Sequence, residues 1–195
     1  PPDRNNFSKI EIELAKEDHF YDMVMYLLVP FHLAAMYTFL VAVSDPSLAT
    51  LDLTAYIITM GTLLGVVGIN VGHELGHKTR EPLKQFFAQL LLTTAVQNHF
   101  VPYHNGGHHK DIGTPADLTS ADRGDNYYLF ALRSQIGGYF KTWKLERKRL
   151  KAIGKPSALN PMVIYTLLPL LMFVAIYLIF GLQVTVYYFL ASIFG

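Results

Sequence analysis

From Tyr21 to Val43 the sequence carries a single formal charge, Asp22, near its outer end, and one interior histidine, His32. A helix rising ~1.5 Å per residue over such a run crosses a hydrocarbon core ~30 Å thick. A second apolar run, roughly Leu53 to Val71, carries Gly61, Gly65 and Gly68, which permit close helix packing in lipid. Gly61 and Gly65 form a small-xxx-small pair that reads as packing. Pro161 to Phe180 is a further spanning segment; Gly181-Leu182-Gln183 makes a tight turn, and Val184 to Phe194 begins the return. Ser44-Asp45-Pro46-Ser47 breaks the first helix with turn-forming residues.

Composition points the same way. Apolar residues make up 51% of the chain, more than an ordinary soluble domain carries. The formal net charge is only +1, and seven of the sixteen basic residues fall between Lys141 and Lys155. That distribution implies a membrane surface and no nucleic acid. The block from Lys141 to Lys151, with Trp143, Leu145 and Leu150, reads as a solvated face near anionic lipid, amphipathic where it is helical. The loop Ser44 to Asp52 has two aspartates and no lysine or arginine, whereas Lys78, Arg80 and Lys84 follow the second run. The positive-inside rule therefore puts the end of the second helix in the cytoplasm. Pro1 to His19 lacks the apolar core of a secretory signal. Without an initiator methionine, and with an apolar run stopping at Gly195, the sequence reads as part of a longer chain.

Six of the eight histidines lie between His73 and His109. The first group is His73-Glu74-Leu75-Gly76-His77-Lys78. Residues four apart share a helix face, so His73 and His77 can turn both imidazoles to one metal or to two adjacent ones. In the second group, His104-Asn105-Gly106-Gly107-His108-His109, the pair four apart gains a neighbour, which suits a site needing more than two nitrogen donors. One such pair is explained as well by capping or helix-dipole roles. Five histidines in two groups in a membrane protein are not, because polar groups at membrane depth are costly and usually functional. His73, His77, His104, His108 and His109 are therefore the expected metal ligands. His99 reads as a supporting hydrogen-bonded residue, and His19 and His32 as structural or interfacial.

With no cysteine, thiolate zinc sites, iron–sulfur clusters and disulfides are excluded. Imidazole suits zinc, copper, iron and nickel alike. A single zinc is satisfied by about four ligands, so five histidines favour two metals, with iron the natural redox candidate for activating dioxygen. If the apolar segment 83–100 crossed the bilayer, the second group would lie on the opposite side from the first. A shared site requires that this segment dip in and return, or lie along the interface. The expected fold is thus all-α, a polytopic integral membrane helical bundle with a cytoplasmic histidine-rich metal site. It is one partial membrane domain over 1–195, with spanning helices at about 21–43, 53–77, 161–180 and 184–195, and a cytoplasmic region at 101–160.

The two histidine groups, in a polytopic chain, resemble the first two histidine boxes of the membrane alkane hydroxylases. That family's second box has the form EHxxGHH and continues into a stretch rich in Thr-Pro, Asp and Ser. Here the matching residues are His104 to His109, then Thr114-Pro115-Ala116-Asp117 and Ser120-Ala121. The likeness continues through Leu132-Arg133-Ser134, Ile136-Gly137-Gly138 and Trp143-Lys144-Leu145-Glu146, and upstream to Glu17-Asp18 and Val29-Pro30. It departs at Tyr103, where a glutamate is expected. The third box, of the form HSDHH, the later HYG-type motif and the first pair of membrane helices are absent, so this chain alone is expected to be inactive.

The resemblance implies two non-heme irons held by the five histidines, dioxygen, and electrons from rubredoxin. It also implies hydroxylation of a medium- or long-chain alkane at its terminal carbon, in the bacterial inner membrane, with the boxes on the cytoplasmic side. Glu74, His99, Asp111 and Asp117 are the candidate supporting residues, with loop capping the competing role for Asp111, Asp117 and Asp122. Xylene-type monooxygenases and membrane fatty-acyl desaturases share such boxes. His73-Glu74-Leu75-Gly76-His77 also fits the HExxH pattern of a zinc protease, with Glu74 as general base. For a protease, His104, His108 and His109 are surplus. A non-enzymatic metal-binding membrane protein is the remaining alternative.

Overall fold

The computed structural model describes Glu11 and residues 19–195. Glu17 and Asp18 lie outside the described residues. Every regular element among those described is helical, and three helices are long and apolar enough to cross a membrane: His19–Ala42, Thr50–His77 and Met162–Phe194. The chain is a helical membrane bundle.

Helix α1 (His19–Ala42) contains Pro30 and ends where Asp45 takes up the Ser47 amide at 2.8 Å in an Asx turn. The second span begins as α2 (Thr50–Leu63), widens into π geometry over Leu64–Val71, and finishes as α3 (Gly72–His77). Gly61 lies where α2 meets the end of α9 (Met162–Phe194). A Cβ there would fall 2.8 Å from the Ala191 carbonyl oxygen, so only glycine permits this approach. Within α9, Gly181 takes φ 83° and ψ 176° and folds the helix into a hairpin. Phe173 then meets Tyr188 and Phe189 across the turn, at ring separations of 5.9 and 6.2 Å.

Helix α4 (Pro82–Thr94) begins on a proline, whose fixed φ suits a first turn. It runs antiparallel to the second span. Near its start the Gln85 amide donates to the carbonyls of Leu75 and Gly76, at 3.3 and 3.0 Å; at its far end Thr94 and Ala95 face Gly68. The chain reverses at Val96, a β-branched residue held at φ 61°, and Val101 is back against Gly76. The segment therefore enters the bundle and returns to the side it left.

Two polar ties hold it there. At the tip, the Thr94 hydroxyl donates to the Leu91 carbonyl at 2.6 Å and meets His32 Nε2 at 2.8 Å, while the Tyr188 hydroxyl donates to the Thr94 carbonyl at 2.7 Å. Because the threonine has one proton and gives it to Leu91, His32 Nε2 is the donor. Between helices in lipid such bonds contribute on the order of 1 kcal/mol each. At the base, Lys84, only 5% exposed, pairs with Asp22 at 2.7 Å and Glu81 at 2.8 Å.

The polar side is built from α5 (Phe100–Tyr103), a wide turn His104–His108, α6 (His109–Asp111), α7 (Tyr127–Leu132), a second wide turn Arg133–Gly137, and α8 (Gly138–Ala152). Along α8, Thr142, Glu146 and Leu150 are buried at helical spacing, while Lys144, Arg147 and Lys148 are exposed.

Candidate metal centre

His73 and His77 sit on successive turns of α3 with their imidazoles on one side. Their Nε2 atoms are 2.7 Å apart, and His73 Nε2 is 2.8 Å from that of His104. One donor nitrogen from each of the three lies within 4.8 Å of the others. His109 joins them, with its ring centroid 4.3 Å from His104 and 5.4 Å from His77. His108 flanks the group, 5.2 Å from His104 and 5.8 Å from His109. All five histidines of the two boxes thus meet at one place.

The wide turn explains how three come from one segment. The His109 amide donates to the His104 carbonyl five residues back. In an ordinary helix the residues three and four along return to a given face, and the one five along does not. Where the turn holds an extra residue the one five along returns as well, a distortion frequent at functional sites. Phe100 walls the group, stacked 5.1 Å from His104 and edge-on 5.2 Å from His73.

The closeness of the boxes depends on a glycine. A Cβ on Gly76 would collide with Val101 Cγ2, so α3 and α5 approach only because position 76 has no side chain.

Outside the ring of histidines, Asp117 organises the loop. Its side chain is fully enclosed. Oδ2 meets His108 Nδ1 at 2.8 Å and the Ser120 hydroxyl at 2.6 Å, while Oδ1 receives the Thr119 amide and hydroxyl at 3.1 and 2.8 Å. Thr119 Oγ1 also lies 2.8 Å from His108 Nδ1. The one threonine proton is spent on Asp117, so His108 Nδ1 carries a hydrogen and donates to both residues. That leaves Nε2 with a free lone pair, the form a metal ligand requires.

Burial alone would raise the Asp117 carboxyl, but hydrogen bonds from Ser120, Thr119 and His108 outweigh it and hold the group below the usual carboxylate range. Burial, and after it the neighbouring imidazoles, holds His104 at about 4, so it is a neutral base at physiological pH.

Of the candidate supporting residues, Asp117 bonds a box histidine. Among the described residues, the hydrogen bonds of the five go to one another, to Asp117 and to Thr119, and Glu74, Asp111 and His99 are not partners. The Asp111 carboxylate instead pairs with Lys141 at 2.8 Å, while its main-chain carbonyl accepts the Thr114 hydroxyl. His99 packs edge-on against Tyr139 at 5.6 Å, and burial holds it at about 4. Sequence reasoning missed Thr119, whose only signal was its place two residues past Asp117, and Phe100, which reads as one more apolar residue.

The donor set is nitrogen only and converging, and among the described residues no ammonium or guanidinium is a hydrogen-bond partner of it. Such a set fits iron, copper or zinc. The fatty acid desaturase family model matches residues 47–195, a stretch that holds both boxes. The chain belongs to the fatty acid desaturase family. Within that family its similarity runs to hydroxylases. It is 33% identical over 195 residues to the alkane 1-monooxygenase of Pseudomonas putida, covering 92% of this chain and 48% of that protein. It is 33% identical over 172 residues to alkane 1-monooxygenase 1 of Alcanivorax borkumensis, covering 85% and 42%. The xylene/toluene monooxygenase hydroxylase component of Pseudomonas putida is 28% identical over 144 residues, covering 70% and 37%. The chain thus spans about half the length of the alkane monooxygenases it matches. The resemblance to alkane hydroxylases read from the two boxes extends over most of the sequence.

Proposed function

We propose that this chain is part of a bacterial inner-membrane alkane hydroxylase that inserts one oxygen atom from dioxygen into the terminal carbon of a medium- or long-chain alkane, with electrons from rubredoxin. The observation that carries this reading is the convergence of His73 and His77 with His104, His108 and His109 on one point beside a membrane bundle. The five would hold two irons, with further ligands from outside residues 1–195, and the bound irons would supply dioxygen activation. The protein's own part is positional. α3 and the wide turn aim imidazoles at a common centre, Asp117 selects the His108 tautomer, and Phe100 keeps water from one flank. The Lys78, Arg80 and α8 cations support a cytoplasmic placement of the site.

The test is turnover by the full-length protein in membranes, given octane, dioxygen, reductant and rubredoxin. The expected product is 1-octanol, with two irons bound per chain. The family match makes acyl desaturation the second reading, and desaturated acyl chains in place of octanol would select it. One zinc per chain with peptide cleavage would refute both.

A further inference from the structure

Tyr103 closes α5 immediately before the second box, and its side chain is 3% exposed. Its hydroxyl donates to Asp117 Oδ1 at 3.1 Å and accepts the Leu118 amide, also at 3.1 Å. The phenol therefore bridges the helix carrying the box and the loop carrying the carboxylate. It bonds the carboxylate oxygen that His108 does not use. Oδ1 receives the tyrosine and the two Thr119 donors, which leaves Oδ2 for the imidazole and Ser120. The tyrosine ring also carries the Lys141 ammonium over its face at 5.6 Å, and the same ammonium pairs with Asp111 at the far end of the box.

We infer that Tyr103 is a positioning residue for the metal centre: by holding Asp117 Oδ1 it fixes the carboxylate plane, and so keeps His108 as the Nδ1–H tautomer with Nε2 turned to the other histidines. The step is indirect, from hydroxyl to carboxylate to imidazole. The ring alone cannot supply it, so phenylalanine in its place keeps the packing and loses the control. The inference deepens the reading of His108 as a ligand, yet it makes a claim about the metal-free protein that stands by itself.

The experiment is 15N spectroscopy of imidazole nitrogens in the full-length chain stripped of metal by chelation, with His108 assigned by the loss of its signals in His108→Gln. Iron affinity is measured alongside. In the native chain the Nδ1–H form of His108 predominates. In Tyr103→Phe the ratio of Nδ1–H to Nε2–H falls and iron binds about tenfold more weakly, the lower end of the effect of removing an outer support. Tyr139→Phe, which deletes a hydroxyl bonded to Thr166 at 2.7 Å and not to Asp117, leaves both unchanged. Should Tyr103→Phe fail to fold, 3-fluorotyrosine at the same position keeps the shape and strengthens the donor, moving the ratio the other way. An unchanged tautomer ratio in these variants overturns the inference, whatever the iron affinity does. A tautomer shift in Tyr103→Phe together with a native chain that binds no iron overturns the proposed function and leaves Tyr103 in its role.

Discussion

His73 and His104 are thirty-one residues apart in sequence, and their Nε2 atoms lie 2.8 Å apart in the folded chain. The connection between them is the returning segment that starts with α4, so the histidine cluster forms only because that segment turns back at Val96. Under the proposed function each histidine is a ligand that the other box cannot replace. His73→Ala and His104→Ala should each weaken iron binding by more than about 100-fold, beyond the range seen for outer supports, and remove hydroxylation. His19→Ala, altering a side chain that is 95% exposed, should leave iron content unchanged. Metal analysis of the purified full-length variants decides it.

Gly76 should be the most sensitive position in the first box after the histidines. Gly76→Ala forces a methyl into Val101, and overpacking of this kind costs about 1–3 kcal/mol. The strain acts along the line joining the two boxes, so iron binding should fall together with thermal stability. Val101→Ala in the same chain removes the colliding methyls and should restore both. If the double variant binds iron no better than Gly76→Ala, the boxes are not held by this contact.

Asp117→Asn should separate metal binding from folding. The amide retains one acceptor oxygen but can no longer hold all its present donors. Iron affinity is expected to drop 10- to 100-fold, with a stability loss of about 1–3 kcal/mol for the unsatisfied groups. Asp111→Asn, which alters only the Lys141 pair, should leave iron affinity within about twofold, because Asp111 hydrogen-bonds none of the five histidines. Equal losses from both would mean that the loop, and not the His108 tautomer, is what matters.

Lys84 gives a stability that depends on pH. Burial opposes its charge, but the hydrogen bonds and charges of Asp22 and Glu81 prevail and raise its pKa above the ordinary 10.5. A group raised on folding contributes fully below its unfolded value, so the stabilisation should hold to about pH 10 and fade as pH rises through the folded value. Lys84→Met should flatten the alkaline limb of thermal stability and cost about 1–3 kcal/mol, because the largely enclosed Asp22 loses its partner. Glu81→Gln, at a half-exposed position, should cost less than Asp22→Asn. An alkaline limb identical in Lys84→Met and the native chain would contradict this.

The apolar runs and both histidine boxes were legible because each is a pattern of period or spacing. The runs correspond to helices, and the glycine pair at Gly61 and Gly65 meets the end of α9. What the spacing could not show was the turn type. His109 reaches the centre through a bond five residues back, and no residue type in that box signals a wide turn. Nor could sequence choose among Asp111, Asp117 and Asp122, all acidic and all near the box, since the choice depends on which loop carboxylate the fold encloses. Lys84 read as one more cytoplasmic cation; its burial needs Asp22, sixty-two positions upstream in the chain, which periodicity along α4 cannot reveal.

The wide turn over His104–His108 makes the second box intolerant of changes in length while leaving much of its composition open. Removing one residue there would let the chain close into an ordinary helical turn, with His109 now four along from His104 and His108 rotated one place around, out of reach of Asp117. Adding one would displace both the other way. Around that turn a side chain can be exchanged at the cost of a contact, but the residue count cannot change without unseating a histidine.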